Sequence, residues 1–242
     1  MSSIILRTNA APIYSFLSLI ESKRSSGELE GPLKILDCGA GGPVPPLALF
    51  SELGYQACGI DISDDQLDLA RKFCQENRIQ VDFRQADMRQ IPFSNSSFDC
   101  VYENYSICHL SHQGTAAAIA EMHRVTRDKG FCLLGLISSD TWPKSLFGEE
   151  REPGEYWDLE DGEETRHSIF TDQESDQLVA DWEITSKIKQ IMYLRQHARE
   201  MSQEDWMELK AGGDYSDEEW RVEYQGRENR VTYVHTYYTL RK

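Results

Sequence analysis

The chain has 242 residues, 40% of them hydrophobic, which predicts one large domain with a substantial buried core. Its 25 Lys and Arg residues against 41 Asp and Glu residues give a formal charge of −16, and the sequence shows no basic patch, so nucleic acid and anionic membrane surfaces are poor partners. It also shows no secretory signal, no long apolar run and no Cys-x-x-Cys pair among its six cysteines, so we expect a soluble cytoplasmic protein with reduced thiols.

The first predicted element is a helix over 11–22, where apolar residues recur at helical spacing. Strands and helices then alternate at the spacing of βαβ units. The predicted strands are 33–36, 57–60, 81–85, 98–102 and 130–137, and the predicted helices between them are 45–52, 66–76 and 114–124, the second capped by Ser63 or Asp64. This alternation indicates a doubly wound α/β fold with helices on both faces of a parallel sheet.

The alternation stops after the fifth strand. Residues 140–168 combine Pro and Gly with many carboxylates, which predicts a long irregular insertion that could act as a lid. Thr171 and Glu174 then form a capping-box pattern, which predicts the start of a short helix.

Two more strands are predicted near the end of the sequence, over 183–195 and 230–241. A polar segment that could carry a helix separates them. We therefore expect one domain over residues 1–242, with residues 1–30 forming a helical cap at its start.

A glycine-rich turn follows the first predicted strand. It reads Asp37-Cys38-Gly39-Ala40-Gly41-Gly42, and the second strand ends at Asp61. Glycines let the backbone approach a ligand where a β-carbon would collide, and a carboxylate at the next strand tip can accept hydrogen bonds from both ribose hydroxyls. The two features together indicate a nucleoside cofactor across the strand tips.

On these residues the chain resembles the class I S-adenosylmethionine (SAM)-dependent methyltransferases, in particular the bacterial and archaeal enzymes that act on small molecules. The resemblance covers about residues 30–140, and includes Ala86-Asp87-Met88 as the adenine loop. It implies a Rossmann-like sheet of seven strands with the last strand antiparallel, and SAM as cofactor. It implies that the cofactor is bound by Asp37, Gly39, Ala40, Gly41, Asp61, Ile62, Asp87, Met88 and Glu103.

The sequence departs from the resembled family at one point, because Pro43 stands where a third glycine is frequent. A stiffer turn is expected there. The rival interpretation, a nicotinamide or flavin enzyme, requires Gly-x-Gly-x-x-Gly, and Val44 occupies the last position of that pattern counted from Gly39. The pattern therefore favours a methyltransferase.

Candidate catalytic residues leave the fourth strand and its following turn. His109 suits a general base because the ordinary pKa of imidazole is near neutrality, and Tyr105 and Asn104 could line the acceptor pocket. Three alternatives stay open: His109 bonded to backbone, Tyr105 packed under the following helix, and Glu103 solvated. Cys108 is interpreted as a core thiol.

Three further residues are candidates for contact with the acceptor: Tyr14 on the first helix, and Trp157 and His167 in the insertion. The carboxylates and aromatic residues of the insertion would suit a cationic acceptor such as an amine. The alternatives are that Tyr14 belongs to the core and that the insertion is a solvated acidic loop.

The pattern as a whole predicts methyl transfer from SAM to a small-molecule acceptor. A non-catalytic SAM-binding sensor or partner subunit is an alternative, and so is a protein methyltransferase. No metal site is predicted, because His109 and His112 alone have close spacing among the six histidines. The acceptor, the atom methylated and the oligomeric state stay open.

Overall fold

The computed structural model describes residues 11–160, 162–193 and 232–242. The helix predicted between the last two strands therefore lies outside the described residues. Two 3₁₀ helices span Ile107–His109 and Lys144–Phe147. The helices are α1 (Ala11–Ser25), α2 (Leu47–Glu52), α3 (Asp64–Asn77), α4 (His112–Val125) and α5 (Asp172–Leu178). The strands are β1 (Lys34–Cys38), β2 (Gln56–Asp61), β3 (Asp82–Gln85), β4 (Phe98–Tyr102), β5 (Thr126–Ser138), β6 (Glu149–Glu152), β7 (Glu155–Glu160), β8 (Glu163–Phe170), β9 (Glu183–Tyr193) and β10 (Thr232–Arg241).

The strands join in one mixed sheet. Strands β3, β2, β1, β4 and β5 are neighbours in that order and run parallel. Strand β10 then pairs antiparallel with β5, and β9 pairs antiparallel with β10. These seven strands confirm the predicted doubly wound α/β sheet with an antiparallel last strand. The sheet formed by the described residues has ten strands, so the predicted number was too low.

The three additional strands come from the insertion, and the prediction of an irregular insertion is wrong. Strands β6, β7 and β8 form an antiparallel sheet, and the turns between them place Gly154 and Gly162 at positive φ. Charged residues dominate these strands, so the usual hydrophobic alternation of a strand is masked. Strand β8 joins β5 through two residue pairs only, Ile137 with Ile169 and Ser138 with Phe170.

Strand alternation divides the core between the two faces of the sheet. Tyr102 of β4 packs on one face with Phe16 of α1, whereas Val101 packs on the other face with Met122 of α4. All six cysteines are buried and unbridged. Among the described residues, no helix is long and apolar enough to cross a membrane.

Two predicted helix caps are present. Ser63 Oγ accepts a hydrogen bond from the Gln66 N–H at 3.3 Å, so Ser63 is the N-cap of α3. Thr171 and Glu174 make the reciprocal bonds of a capping box at α5. The Ser63 cap matters for the site because it fixes the chain two residues after the tip of β2.

Candidate active site

The glycine-rich turn between β1 and α2 is anchored to the tip of β2. The N–H groups of Gly39 and Ala40 both donate to the Ile60 carbonyl, at 2.8 and 2.9 Å. Gly39 has φ +101°, and a β-carbon there would lie 2.0 Å from Ser106 Oγ. A β-carbon on Gly41 would lie 2.7 Å from Asp61 Oδ2. Glycine is therefore required at both positions, because protein side chains already use the space that it leaves.

Asp61 stands at the tip of β2, partly exposed, in the position predicted for ribose binding. Its Oδ2 accepts the Gly41 N–H at 3.0 Å and its Oδ1 accepts the Ser63 N–H at 2.9 Å. Each carboxylate oxygen retains accepting capacity after these bonds. The carboxylate is thus held in one orientation and can still accept from a vicinal diol.

An apolar surface lies beside this carboxylate. Ile62 is 65% exposed directly after Asp61, which is unusual for a large aliphatic side chain at a strand tip. The Met88 Cε lies 3.7 Å from the point that a Gly39 β-carbon would occupy. Both side chains are placed where the flat face of a base could cover them.

Asp87, predicted to contact adenine, is held by Arg89. Its two oxygens accept from the Arg89 guanidinium at 2.6 to 3.0 Å, and Oδ1 also accepts the Arg89 N–H at 2.8 Å. These bonds lower the pKa of the Asp87 carboxyl. An adenine contact through Asp87 would share this carboxylate with Arg89.

Two buried carboxyl groups lie behind the turn. Asp37 is 2% exposed, and burial raises its pKa to about 8, with the Tyr102 hydroxyl opposing the rise. Burial raises the pKa of Glu103 to about 7, although Glu103 accepts N–H bonds from Gly135 at 2.7 Å, Ile107 at 3.2 Å and Ser106 at 3.3 Å. The alternative of a solvated Glu103 is wrong. A positive charge nearby would favour the ionised form of both groups.

The turn after β4 presents Asn104 and Tyr105. Asn104 Oδ1 is buried and has no hydrogen-bond partner among the described residues. Tyr105 has φ +66°, its ring centroid lies 4.7 Å from that of His235, and its hydroxyl lies 3.8 Å from Met192 Sδ. Tyr105 therefore faces β10 and β9, and the alternative that it packs under the following helix is wrong.

His109 is exposed at the end of this turn. Its Nδ1 lies 2.9 Å from the Arg166 carbonyl oxygen. Because a carbonyl only accepts, Nδ1 carries the hydrogen and Nε2 has the lone pair in the neutral ring. The alternative of a backbone-bonded histidine is thus observed, and the same bond orients Nε2 as a possible base. His167 is buried, with its ring 5.2 Å from that of His109.

The structure does not bring Tyr14 and Trp157 to the strand tips, so both substrate assignments need correction. Tyr14 packs with the cluster that contains Ala48 and Leu49 of α2, as the core alternative requires. Trp157 lies between the guanidinium groups of Arg151 and Arg166, on the face of β7 opposite to Tyr156. The sequence could not show which face of the inserted sheet points inward.

A cluster of rings at the tips of β4 and β5 was not predicted. His235 stands at its centre, 4.8 Å from Tyr233 and 5.5 Å from Tyr237 between ring centroids. The alternation Tyr-x-His-x-Tyr on β10 was the available signal, and it indicates that the three rings share one face. We name this cluster the ring array; its members are Tyr105, Phe147, His167, Tyr233, His235 and Tyr237.

Comparisons with known proteins find methyltransferases similar to this chain. Residues 35–130 match a family described as methyltransferase domain. The ubiquinone/menaquinone biosynthesis C-methyltransferase of Pseudomonas putida is 32% identical over 127 residues, which is 49% of this chain and 48% of that protein. The chain thus spans less than half the length of this curated relative.

Solved structures share the fold. A SAM-dependent methyltransferase from Methanosarcina mazei superposes with a TM-score of 0.64 at 19% identity, over 90% of this chain and 96% of that one. The 1,6-didemethyltoxoflavin-N1-methyltransferase of Burkholderia thailandensis, solved with S-adenosylhomocysteine, gives a TM-score of 0.57 at 14% identity, over 99% and 81%. At these identities the likeness concerns the fold alone.

Proposed function

We propose that this chain, a member of the class I SAM-dependent methyltransferase family, binds SAM across the tips of β1, β2 and β4 and methylates a small-molecule acceptor. The observation that carries the proposal is the partly exposed Asp61 carboxylate, which two backbone N–H groups orient beside the glycine-rich turn. When bound, SAM supplies a methyl group already activated by the positive sulfur.

The residues at the strand tips fit this cofactor. Asp61 would accept from the two ribose hydroxyls, and Ile62 and Met88 would cover the adenine ring, which explains why Ile62 stands exposed. Asp37 and Glu103 would compensate the positive charge of the cofactor from behind the turn. The anionic pyrophosphate of a dinucleotide would supply no positive charge for these two carboxyl groups and would be repelled by their ionised forms.

The remaining task of the protein is to position the acceptor and exclude water, because an activated methyl group needs little covalent help. Asn104 and Tyr105 leave β4 beside the proposed cofactor site and would contact the acceptor. The buried Asn104 Oδ1, which has no partner among the described residues, could accept a hydrogen bond from it. His109 Nε2 would remove a proton if the acceptor is a hydroxyl or ammonium group.

The compartment and partners form part of the same proposal. Six buried, unbridged cysteines support a reducing compartment such as the cytoplasm. The formal charge of −16 supports a small molecule, rather than nucleic acid, as the partner.

Calorimetric titration with SAM, S-adenosylhomocysteine and NADH tests the proposal. We expect binding of the first two and none of NADH. Asp61→Ala should weaken SAM binding by about 1.5–3 kcal/mol through loss of the ribose bonds. Asp65→Asn, an exposed carboxylate on α3, is the matched control and should bind as the wild type does. Binding of NADH alone, or an unchanged affinity in Asp61→Ala, would contradict the assignment.

Turnover separates an enzyme from a sensor. The proposal requires formation of S-adenosylhomocysteine when the protein is supplied with SAM and a panel of phenols, amines and carboxylic acids. Tight SAM binding without turnover on any such panel would favour a sensor or partner subunit.

A further inference from the structure

Three departures from ordinary packing meet in the ring array. Tyr105 holds a left-handed backbone conformation, with φ +66°, that side chains with a β-carbon rarely adopt. His235 is 1% exposed, yet its Nδ1 has no hydrogen-bond partner among the described residues. On β5, a β-carbon at Gly135 would lie 2.7 Å from the Tyr237 ring, so glycine makes room for that ring.

The first two of these features are unfavourable for a cluster whose only role is packing. Leucine or phenylalanine would fill the position of His235 without burying an unsatisfied nitrogen, and a residue in the right-handed region would avoid the strain at Tyr105. Strained backbone and imperfectly satisfied polar groups concentrate at functional sites, where they are retained for a ligand.

The array also stands next to the proposed methyl donor. Tyr105 is two residues after Glu103. Tyr237 pairs with Gly135, whose N–H binds the Glu103 carboxylate at 2.7 Å. The array is therefore on the side of β4 and β5 from which an acceptor would approach.

The described surroundings of the array are low in charge. The alternation of β7 and β8 turns Tyr156 and His167 toward Phe147 and turns Trp157 and Arg166 away from it. Three carboxylates of the insertion pair with arginines: Glu149 and Glu164 with Arg151 at 3.4 and 2.7 Å, and Glu155 with Arg166 at 3.3 Å. Within the described part of the chain, these three paired carboxylates are not free to line a pocket for a cationic acceptor.

Glu103 and His235 also disfavour a cationic acceptor. Glu103 is fully buried, with Oε2 accepting two backbone N–H groups and Oε1 accepting one, so only Oε1 retains capacity for an ammonium group. Burial lowers the pKa of His235 to about 3, so its ring is neutral at physiological pH. A cationic acceptor would also be repelled by the positive sulfur of the cofactor.

We propose that the ring array is the acceptor site and that it takes an uncharged, planar aromatic molecule, which stacks on the partly exposed rings of Tyr105 and Tyr233. His235 is a positioning residue, because its ring contacts both tyrosines and its Nε2 lies 2.8 Å from the Tyr233 hydroxyl. Offset and edge-on ring contacts give such a site its preference for planar molecules. This assignment rests on the proposed methyl transfer.

The test uses three probes built on the same fused two-ring framework, titrated into the full chain saturated with S-adenosylhomocysteine so that no turnover occurs. The probes are 2-naphthol, its saturated analogue decahydro-2-naphthol, and 2-(aminomethyl)naphthalene, which is a cation at neutral pH. We expect 2-naphthol to bind at least tenfold more tightly than either of the others. Equal binding of the saturated alcohol, tighter binding of the cation, or no binding of 2-naphthol would overturn the proposal.

Variants locate the binding. Tyr233→Leu and His235→Leu should each weaken 2-naphthol binding at least tenfold while S-adenosylhomocysteine affinity is unchanged, and His235→Phe, which keeps a ring, should restore most of the loss. Trp157→Leu, on the outward face of β7, is the matched control and should bind 2-naphthol as the wild type does. A loss in Trp157→Leu equal to that in Tyr233→Leu would overturn the assignment to the ring array.

The two proposals can fail separately. If the wild-type protein does not bind S-adenosylhomocysteine, the proposed function fails. If it binds S-adenosylhomocysteine but does not prefer 2-naphthol, only the acceptor class is wrong.

Discussion

The two buried carboxyl groups make SAM binding depend on pH in a way that S-adenosylhomocysteine binding should not. Without ligand, Asp37 with a pKa of about 8 and Glu103 with a pKa of about 7 hold protons at pH 6. The positive sulfur of SAM favours their ionised forms, whereas the neutral sulfur of S-adenosylhomocysteine does not. SAM binding should therefore release a proton, and S-adenosylhomocysteine binding should release less.

The magnitude follows from linkage. Release of one proton makes affinity rise by up to about tenfold per pH unit below the pKa of the free protein, and about 1.4 kcal/mol corresponds to each unit. With Asp37 at about 8, the affinity for SAM relative to S-adenosylhomocysteine should increase from pH 6 to pH 8 and become constant above that. Effects of pH that act equally on the binding of both ligands cancel in the ratio of the two affinities.

In the protein without ligand, ionisation of Asp37 lowers the free energy of unfolding as pH rises, whereas it raises the affinity for SAM. A carboxyl whose pKa is raised in the folded state, from 3.8 to about 8 for Asp37, favours folding below the unfolded value and loses that contribution as pH rises toward 8. Asp37→Asn removes the titrating group, so the free variant should lose less stability than the wild type between pH 5 and about pH 8.

Calorimetry at pH 6, 7, 8 and 8.5 in two buffers of different ionisation enthalpy measures both the affinity ratio and the protons released. In Asp37→Asn the ratio of SAM to S-adenosylhomocysteine affinity should lose most of its pH dependence. In Asp65→Asn, which changes an exposed carboxylate, the ratio should depend on pH as in the wild type. An affinity ratio that stays constant from pH 6 to pH 8 in the wild type would refute the reasoning.

Three other changes test the site and its frame. Gly41→Ala adds a β-carbon that displaces the Asp61 carboxylate, so it should weaken SAM binding by about 1.5–3 kcal/mol, the loss expected when the ribose bonds are removed. An unchanged affinity in calorimetry would show that Asp61 can shift without cost. Arg89→Ala frees Asp87 and should leave SAM affinity equal or raise it by up to about 1 kcal/mol, whereas a weaker affinity would assign Arg89 itself to the cofactor. Thr171→Ala removes the cap of α5 and should lower the free energy of unfolding by about 1 kcal/mol in urea titration without affecting SAM binding.

The cofactor half of the molecule was predictable because its signals are local. Strand β4 has the predicted bounds, and glycine is required at Gly39 and Gly41 as predicted, although protein side chains occupy the space that was expected to admit a ligand. The position of Asp61 follows from the same rule, since parallel strands bring their carboxyl ends to one edge of the sheet. Gly41 and Asp61 are 20 residues apart in the sequence, so short-range signals place both, whereas the Ser106 contact at Gly39 comes from a distant part of the chain.

The acceptor half depends on contacts between distant parts of the chain. His235 meets Tyr105 only because β10 pairs antiparallel with β5, and the buried Glu103 accepts a hydrogen bond from the N–H of Gly135, 32 residues later. The outward position of Trp157 follows from the register of β7 on β8. A shift by one residue would exchange the two faces, and composition carries no information about that choice.

The attachment of the inserted sheet has a consequence for how this protein can diversify. The inserted segment leaves the main sheet after Ser138 and returns at Phe170, and these two residues are paired neighbours. Its two ends are therefore side by side, so the stretch between them can be exchanged or shortened without separating β5 from α5. Such an arrangement lets Phe147 and His167, the two members of the ring array that the inserted segment supplies, change together while Tyr105 and β10 keep their sequence.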